Sequence, residues 1–319
     1  MDKESRIYVA GDSGLVGSAL CARLSDYKKV YTIPHESLEL TDYKETRSFF
    51  RLTKPEYVFI AAARVGGILD NDTFPVEFLD VNARIELNIL RAATEFGVKK
   101  LLLLGSSCIY PRETPQPIPE VAILSGKLEP TNDAYAIAKL AGIIGCRSYN
   151  RERGTQFVAA MPTNVYGPND NFDLHGAHVL PALINKFHHA KVVGAPTVEL
   201  WGSGVARREF MYVDDLADAC VHVMKNFVPA SHAVEDVIIN IGTGVDVSIS
   251  ALAPLIADII GYKGKLVWNT SKPDGTLRKM LDVSRLSNLG WKSKTTLAVG
   301  IRKTYEWFLD NLDNDNLRI

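Results

Sequence analysis

The chain has 319 residues, of which 46% are hydrophobic and 23% charged, a composition typical of a soluble globular protein. Its length predicts one large domain or two ordinary ones. The formal net charge is only −1, which excludes a general attraction to nucleic acid or to an anionic membrane surface. A local basic pocket for phosphate groups is still compatible with this charge.

The sequence shows no sign of export, of a membrane span or of a disulfide framework. The segment 1–6 lacks the apolar core of a signal peptide, and no apolar run approaches the length of a membrane helix. The four cysteines, Cys21, Cys108, Cys146 and Cys220, are far apart and form no C-x-x-C pair. This spacing argues against a zinc site, so we expect no bound metal and a cytoplasmic protein with reduced thiols.

Short apolar segments alternate with longer helical ones along the first half of the chain. Buried strands are predicted at 7–10, 30–33, 57–61, 101–104 and 157–161. Helices are predicted at 16–24, 82–96 and 135–149. Apolar strands that alternate with helices indicate an α/β fold whose parallel sheet is covered on both faces, here a Rossmann-type doubly wound sheet.

The predicted helix that begins at Tyr135 is apolar on nearly all sides. Its apolar residues are Ala136, Ile137, Ala138, Leu140, Ala141, Ile143 and Ile144. A helix without a polar face must be buried all round, and the sheet covers only one side of it. We therefore expect a homodimer in which the other side packs on a partner subunit. The alternative is cover by the chain's own C-terminal part.

The second half of the chain is less regular after about Gly167, where His, Pro and Gly are frequent. A strand and a helix return at 209–224, with Asp214 as the predicted N-cap, and a buried strand follows at 237–240. We therefore expect the two parts of the chain to interleave. The expected bounds are 1–165 for the first domain, about 206–245 for a segment that returns to it, and 166–319 for a smaller second domain.

Three glycines, Gly11, Gly14 and Gly17, follow the first predicted strand and open the first predicted helix. Glycines at this place permit a tight turn and let backbone N–H groups approach a pyrophosphate at the helix N-terminus. The spacing is G-x-x-G-x-x-G rather than the more familiar G-x-G-x-x-G, and an ordinary glycine-rich turn is the alternative. The position between strand and helix favours dinucleotide binding.

The end of the second predicted strand carries Pro34 and His35. Sites that select NAD usually have an acidic residue there to hold the ribose 2′-hydroxyl, and this strand end has none. The repulsion of a 2′-phosphate is thereby removed, and His35 or Ser13 could contact that phosphate. We therefore predict NADP, in its reduced form NADPH, as the cofactor.

Ser106, Tyr135 and Lys139 are candidates for a reductase site. Ser106 follows the strand predicted at 101–104, and open parallel sheets bind ligands at that edge. Tyr135 and Lys139 are four residues apart on a helix, so they share a face, and the lysine charge lowers the pKa of the phenol. The tyrosine can then donate a proton to a ketone oxygen as a hydride reaches the carbon. A pair of surface side chains is the alternative, which the glycine loop and Ser106 disfavour.

These features resemble the extended short-chain dehydrogenase/reductase family. The motifs that carry the resemblance are the glycine loop, Ala61-Ala62-Ala63, Ser106, Tyr135-x-x-x-Lys139 and Asn164-Val165-Tyr166-Gly167-Pro168. Further segments resemble family members that epimerise GDP-4-keto-6-deoxy-mannose and reduce it with NADPH. These segments are 65–68, 105–111, 128–132, 161–164, 167–172, 201–204 and 272–275, so the resemblance spans nearly the whole chain.

The resemblance implies a role for each matching residue. The implied catalytic residues are Ser106, Cys108, Tyr135, Lys139 and His178. The implied cofactor-binding residues are Gly11, Ser13, Gly14, Leu15, Val16, Gly17, His35, Leu40, Ala61, Ala62, Ala63, Tyr135, Lys139, Pro162, Asn164, Val165 and His178. The implied GDP-sugar ligands are Ser107, Asn164, Lys186, Trp201, Arg208 and Asp274. The family often has His-Arg where this chain has Asp12-Ser13, a departure that bears on 2′-phosphate binding.

The chemistry of such a substrate independently suits a cysteine and a histidine as an acid/base pair, and the resemblance selects Cys108 and His178 for these roles. A C4 ketone acidifies the C–H bonds at C3 and C5, and inversion requires a base on one face and an acid on the other. Cysteine and histidine titrate close enough to neutrality to exchange these protons. A buried apolar thiol and a structural histidine are the alternatives. The competing histidines are His175, His188 and His189.

Basic and aromatic side chains in the second half suit a sugar nucleotide. Lys186, Arg207 and Arg208 could bind a diphosphate without a metal, and Trp201 could stack on a base. Solvated surface charge is the alternative for the basic residues, and core packing is the alternative for Trp201.

Two rival functions stay open on the sequence. A 4,6-dehydratase or a 4-epimerase of the same family is one, although dehydratases tend to have Asp-Glu where this chain has Ser107-Cys108. A 4-epimerase, in turn, has no need for a pair such as Cys108 and His178. A non-catalytic NADP-sensing protein is the other rival, which the presence of Tyr135 and Lys139 disfavours.

Overall fold

The chain folds around a six-stranded parallel sheet of the Rossmann type. The computed structural model describes residues 1–174, 176–272, 274–313 and 317–319, so His175, Pro273 and the side chain of Ile68 lie outside the described part. The strands are β1 (Arg6–Ala10), β2 (Lys29–Tyr31), β3 (Tyr57–Ile60), β4 (Lys100–Leu104), β5 (Phe157–Pro162), β6 (Asn164–Tyr166), β7 (Thr197–Trp201), β8 (Arg207–Tyr212), β9 (Ile238–Ile241), β10 (Asp246–Ser248), β11 (Lys265–Asn269) and β12 (Arg278–Lys279). The helices are α1 (Leu15–Arg23), α2 (Tyr43–Thr53), α3 (Ile68–Thr73), α4 (Pro75–Glu95), α5 (Asp133–Arg153), α6 (Val179–Val192), α7 (Val213–Asn226), α8 (Ile249–Ile260), α9 (Ser284–Asn288) and α10 (Leu297–Asp310).

The large sheet has the strand order β2-β1-β3-β4-β5-β9 with every pair parallel. Alternate residues along each strand enter two separate apolar cores. In β1, Tyr8 and Ala10 enter one core, and Ile7 and Val9 enter the other. Helices α2, α4 and α5 cover the first face, and α1 and α7 cover the second. Burial on both faces explains the continuous apolar strands and confirms the predicted doubly wound α/β fold.

The predicted elements of the first half are present, with different ends. Helix α4 begins at Pro75 rather than near Asn82, because proline is well suited to a first helical position. Strand β2 ends at Tyr31 rather than Ile33. Helix α2 was not predicted, although its N-cap is a typical one. The Asp42 side chain accepts hydrogen bonds from the backbone nitrogens of Lys44 and Glu45.

Helices α4 and α5 lie side by side on the sheet and leave an apolar face uncovered. Gly145 of α5 permits their close approach, since a β-carbon there would lie 2.7 Å from Leu90 Cδ1. This face (Leu79 and Leu87 of α4, Ile137 of α5) is exposed, with Ile137 at 48%. Helix α10 packs instead on α8 and β8, so the C-terminal helix does not cover this face of α5.

The second half of the chain contributes to the large sheet and to a second unit. Strand β9 completes the large sheet, and α7 packs on α1 and β4. Strands β6, β8, β10 and β12 form a smaller mixed sheet, while β7 and β11 pair in parallel. Helices α6, α8 and α10 enclose a third apolar core, which includes Phe187, Ile256 and Phe308. The chain therefore crosses between the two units more than once.

Helix α6 occupies part of the segment that the sequence suggested was irregular. Its residues Leu180, Leu183, Ile184 and Phe187 form a buried face at helical spacing. Pro181 lies in the first turn, where its missing N–H costs no helical hydrogen bond. The frequent His and Pro residues had obscured this periodicity.

Helix α7 begins at Val213, two residues earlier than the predicted cap implies. Its N-cap is Tyr212, so the prediction of Asp214 as the N-cap is wrong. Asp214 lies in the first turn, where a negative charge still interacts favourably with the helix dipole.

Three further properties concern the described part of the chain. None of its helices is long and apolar enough to cross a membrane. All four cysteines are free thiols: Cys146 and Cys220 are buried, whereas Cys21 and Cys108 are partly exposed. Within the same residues, no group of three His, Cys, Asp or Glu side chains is placed to hold a metal ion.

Candidate active site

The glycine loop joins β1 to α1 and lies against the end of β3. Gly11 has a φ of +83°, and a β-carbon there would lie 2.5 Å from the backbone nitrogen of Ala62. A β-carbon on Gly17 would lie 1.8 Å from the carbonyl oxygen of Gly11. At Gly14, the N-cap of α1, the nearest such contact would be 3.8 Å away. The fold itself therefore requires Gly11 and Gly17, while Gly14 leaves the end of α1 open.

The N-terminus of α1 can bind an anionic group. No side chain caps it, and its first turn, which is fully described, holds no acidic residue. Ser13 and Gly14 line a cavity of about 310 Å³ together with Asn169, Asp170 and Arg318. Free N–H groups at the positive end of a helix dipole suit a diphosphate in such a cavity.

The other predicted cofactor residues lie along the same edge of the sheet. His35 is exposed in a short turn after β2, and Thr32, which directly follows that strand, is not acidic. Ala61 directly follows β3, and its nitrogen donates to the carbonyl oxygen of Ala10. Leu40 differs, because its side chain is buried in the first core and only its backbone can reach a ligand.

Pro162, Asn164 and Val165 lie where β5 passes into β6, at the end of the central strands. The amide of Asn164 donates a hydrogen bond of 2.8 Å to the carbonyl oxygen of Glu209. This bond ties the edge of the large sheet to β8 of the smaller one. Ser107 is buried and lies three residues after the end of β4.

Ser106, Tyr135 and Lys139 meet beyond the carboxyl end of β4. Lys139 Nζ lies 5.7 Å from the centre of the Tyr135 ring, and the Tyr135 hydroxyl interacts with the Ser106 side chain. Burial raises the pKa of Tyr135, and Lys139 and Ser106 offset part of this rise. The predicted effect of the lysine is present, but burial outweighs it. The phenol therefore keeps its proton at neutral pH and can donate it.

Lys139 is buried, and two acceptors hold its ammonium group. Nζ donates to Glu86 Oε1 at 2.7 Å and to the carbonyl oxygen of Leu104 at 3.0 Å. Burial opposes the charge, but Glu86 and Tyr135 together raise the pKa of Lys139 above its usual value. The lysine therefore carries the positive charge that its predicted role requires.

Cys108 has polar neighbours on its sulfur atom. Asn132 Nδ2 lies 3.3 Å from Sγ, and Lys279 Nζ lies 3.8 Å from it. Cys146, by contrast, is fully buried among apolar residues of the first core. The alternative of a buried apolar thiol therefore describes Cys146 and not Cys108. An amide and an ammonium are suitable neighbours for a sulfur that exchanges a proton.

His178 shares Lys279 as a neighbour with Cys108. It is the N-cap residue of α6, where its side chain makes no capping hydrogen bond. The surrounding protein desolvates His178 and lowers its pKa, and the Lys279 charge lowers it further, although the residue as a whole is exposed. His188, one of the competing histidines, instead bonds the hydroxyl of Tyr305 at 3.0 Å beside the third core. His189 is exposed on the same helix.

The residues predicted to hold a sugar nucleotide lie on joined loops of the second unit. Asp274 accepts hydrogen bonds from the backbone nitrogen of Ser203 at 2.9 Å and from its hydroxyl at 2.7 Å. Trp201 is 67% exposed, and Lys272 Nζ lies 5.2 Å from the centre of its ring. The alternative of Trp201 as a core residue is therefore wrong, and its ring is open to stacking.

The two adjacent arginines have different surroundings. Arg208 is half-buried, and its Nη1 donates to the carbonyl oxygen of Thr276 at 2.5 Å. A β-carbon on Gly275 would lie 3.1 Å from Arg208 Nη2. Arg207 forms an ion pair of 2.7 Å with Asp246, so its charge is already matched. Of the two, Arg208 is the better candidate for a diphosphate.

Lys186 lies on α6 and is half-buried. Burial lowers the pKa of Lys186, and the negative charge of Glu199 counteracts this effect. Among its described neighbours, no ion pair occupies its ammonium group, which leaves it available to an anionic ligand.

Three residues beside the predicted site were missed from the sequence: Glu86, Asn132 and Lys279. Asn132 closes one of the segments that carry the family resemblance, and Lys279 follows another within a few residues. A charged residue on the apolar face of a predicted helix was the available signal for Glu86. Their contacts could not be read from the sequence, because Lys279 and Cys108 are 171 positions apart.

A parallel sheet with an open helix N-terminus and a serine, a tyrosine and a charged lysine at one edge defines a nucleotide-dependent short-chain reductase. The model of the NAD dependent epimerase/dehydratase family matches residues 7–242, and the chain belongs to this family.

Similar proteins agree with this membership. The chain is 50% identical to GDP-L-fucose synthase 1 of Arabidopsis thaliana, over 98% of this chain and 96% of that one. It is 47% identical to GDP-L-fucose synthase of Escherichia coli strain K12, over 97% and 98%. A solved GDP-mannoheptose C4 reductase from Campylobacter jejuni, with NADP bound, has a TM-score of 0.89 at 35% identity, over 97% of this chain and 99% of that one.

Proposed function

We propose that this chain is an enzyme that converts GDP-4-keto-6-deoxy-D-mannose to GDP-L-fucose by 3,5-epimerisation and NADPH-dependent reduction at C4. The observation that carries the proposal is the presence of two proton-transfer sets in one site. Ser106, Tyr135 and Lys139 form one set, and Cys108 lies within the same turn as Ser106. The similarity to two GDP-L-fucose synthases over nearly their whole length supports the choice of substrate.

Cys108 and His178 are assigned to the proton transfers at C3 and C5. Each transfer removes a proton from carbon on one face, and the electron pair moves into the enolate of the C4 ketone. A proton returned from the other face inverts the centre. The lowered pKa of His178 makes its protonated ring a stronger proton donor, and Lys279 adjoins both groups.

Tyr135 is assigned to the reduction. Its phenol donates a proton to the C4 oxygen, the Ser106 hydroxyl binds the same oxygen, and the charge of Lys139 stabilises the phenolate that remains. Bound NADPH supplies the hydride for C4.

The residues at the edge of the large sheet fit a dinucleotide. The open N-terminus of α1 and the space beside Gly14 suit its diphosphate, and a relative with an NADP-bound structure has the same fold. His35 and Ser13 are assigned to the 2′-phosphate. The other implied contacts, including the buried Leu40, stay predictions.

The second unit is assigned to the GDP-sugar. Lys186 and Arg208 bind its diphosphate, and the exposed ring of Trp201 stacks on the base. Asp274 holds the loop beside Trp201 through Ser203. Ser107 and Asn164 are assigned to the sugar.

The direct test is to supply GDP-4-keto-6-deoxy-D-mannose with NADPH and to identify the product by NMR. We expect one NADPH oxidised for each GDP-L-fucose formed, and a higher kcat/KM for NADPH than for NADH. A product that keeps the configuration of mannose at C3 and C5 would identify a simple C4 reductase instead. No oxidation with any keto sugar would favour a non-catalytic NADP-binding protein.

The domain bounds follow from the same assignment. We assign residues 1–165 and about 206–245 to NADP binding and the rest of 166–319 to the substrate. The return of α7 and β9 to the large sheet supports this division. Free thiols suit a reducing compartment, so a cytoplasmic location stays our prediction.

We further propose that the enzyme is a homodimer through the apolar face of α4 and α5. Exposed Leu79, Leu87 and Ile137 on two adjacent helices form a patch that a second copy could bury across a two-fold axis. Four helices, two from each copy, would then pack together.

Ile137→Glu is expected to weaken this dimer on the order of a hundredfold or more, because it places an unpaired charge in an apolar contact. Sedimentation velocity across a concentration series measures the change. Val192→Glu, at the end of α6 in the second unit, is the matched control and should leave the dimer intact. A wild-type protein that is a monomer at micromolar concentration would contradict the proposal.

Two glycine substitutions separate the fold of the glycine loop from its binding role. Gly17→Ala is expected to destabilise the protein by about 3 kcal/mol, since the new carbon would overlap the Gly11 carbonyl oxygen. Gly14→Ala should fold normally and weaken NADPH binding, because its carbon would enter the space proposed for the diphosphate. Thermal unfolding and NADPH fluorescence titration measure the two effects. Normal NADPH affinity in Gly14→Ala would place the diphosphate elsewhere.

A further inference from the structure

Glu86 of α4 is a buried carboxylate that the proposed chemistry does not use. Its Oε1 accepts the 2.7 Å hydrogen bond from Lys139, and the two side chains are 1% and 2% exposed. Within the described residues, its Oε2 has no hydrogen-bond partner. A buried carboxylate with one oxygen unmatched is unfavourable for stability, so a purely structural role explains it poorly.

The neighbouring helix leaves a space for this carboxylate. Gly142 lies on α5 almost one turn after Lys139, and a β-carbon there would lie 2.0 Å from Glu86 Oε2 and 2.8 Å from Leu103 Cδ2. Glycine inside a helix is less favourable than alanine by about 1 kcal/mol. The space for Glu86 accounts for a glycine at this position.

The contacts of Lys139 determine what its ammonium group can still do. Of its three N–H groups, Glu86 takes one and the Leu104 carbonyl takes a second. One N–H therefore remains for Tyr135 or for a bound ligand. Both protein contacts restrict where that last N–H can point.

We infer that Glu86 is a positioning residue for the reduction step, which holds the Lys139 ammonium in place and in its charged form. This inference rests on the proposed function and adds to it a residue that need not touch the substrate. Without the carboxylate, only Tyr135 would oppose the effect of burial on Lys139, and the pKa of Lys139 would fall. Burial raises the pKa of Glu86 to about 7, and the charge and hydrogen bond of Lys139 oppose that rise. Of the other titratable groups, Tyr135 acts on Lys139, Cys146 lies near Glu86, and Cys108 acts on Tyr135.

Glu86→Gln tests the inference because it keeps the shape of the side chain and removes its charge. As the pH rises, Lys139 should lose its proton earlier in the variant, and the phenolate of Tyr135 should lose its stabilisation. The alkaline limb of kcat for NADPH oxidation should move to lower pH by about one unit or more. Deuterium exchange at C3 and C5 should keep the wild-type pH dependence.

Thermal unfolding gives a second measure that needs no substrate. In Glu86→Gln the pKa of Lys139 would be lower in the folded than in the unfolded state, so the unfolded chain would bind more protons above the folded-state pKa. Stability then rises with pH in that window. The deficit in Tm relative to wild type should therefore shrink between about pH 7 and about pH 9.

Three further variants complete the test. Gly142→Ala, which displaces the carboxylate, should shift the alkaline limb in the same direction and serves if Glu86→Gln does not fold. Glu86→Asp should restore much of the wild-type pH dependence. Glu120→Gln removes another buried carboxylate, one that accepts a hydrogen bond from the backbone nitrogen of Asn240, and should leave the kcat profile unchanged.

The outcomes separate this inference from the proposed function. A folded Glu86→Gln protein with wild-type pH dependence of both kcat and Tm would overturn the role of Glu86 alone. A wild-type protein that reduces no keto sugar would overturn the proposed function, and the Tm comparison would still decide whether Glu86 maintains the charge of Lys139.

Discussion

Tyr135→Phe is expected to abolish NADPH oxidation while the protein still exchanges sugar protons with the solvent. Tyr135 supplies the proton that the C4 oxygen needs, and phenylalanine has none to give. Loss of this general acid should slow the reduction by about 10²- to 10⁴-fold. The ring should stay in place, since its edge-to-face contact with Phe78, at 6.1 Å between centres, does not involve the hydroxyl.

Deuterium incorporation at C3 and C5, followed by NMR alongside NADPH absorbance, measures both steps of this prediction. Exchange should slow far less than reduction, because the Tyr135 hydroxyl only assists the enolate by binding its oxygen. Tyr149→Phe, on the same helix and in contact with Phe157, is the matched control and should leave both rates unchanged. If Tyr135→Phe folds and binds substrate but exchanges neither proton, the separation of roles is wrong.

Cys108→Ser should produce the opposite pattern, with proton exchange lost and some reduction retained. An alkanol is a far weaker acid than a thiol and cannot supply a comparable base near neutral pH. Exchange should fall on the order of a hundredfold or more. Slow reduction of the unepimerised ketone would then yield a GDP-6-deoxyhexose with uninverted centres.

Two variants accompany the Cys108 experiment. Cys21→Ser changes a partly exposed thiol on α1 and should leave exchange at the wild-type rate. His178→Asn should impair inversion by removing the opposing proton donor, with a smaller effect if water replaces it. Normal exchange and inversion in Cys108→Ser would show that its contacts with Asn132 and Lys279 serve the structure only.

Much of the first half could be predicted from the sequence because its signals are local. Strands that are buried on both faces form continuous apolar runs, and the segment from Gly11 to Gly17 follows β1 and opens α1. Tyr135 and Lys139 share a helix face through spacing alone. The predicted class of fold was confirmed for these reasons.

Other features could not be predicted because their sequence signals were weak or conflicting. Helix α6 carries Pro181 and several histidines, which mask its regular apolar face. The ion pair of Arg207 with Asp246 depends on the pairing of β8 with β10. The sequence therefore could not show that Arg207 has a partner and that Arg208 is the better candidate for a diphosphate. The effect of burial on Tyr135 likewise depends on surroundings that spacing does not reveal.

The sequence by itself determined the doubly wound sheet, the place of the glycine loop and the shared face of Tyr135 and Lys139. Each of these depends on residues within a few turns or strands of one another, where backbone geometry alone sets their relation. Only the tertiary structure decided that Glu86 pairs with Lys139 across 53 positions and that Lys279 meets Cys108 across 171. Such contacts arise when packed helices and strands bring distant side chains together, and burial there removes the water that would otherwise screen their charges.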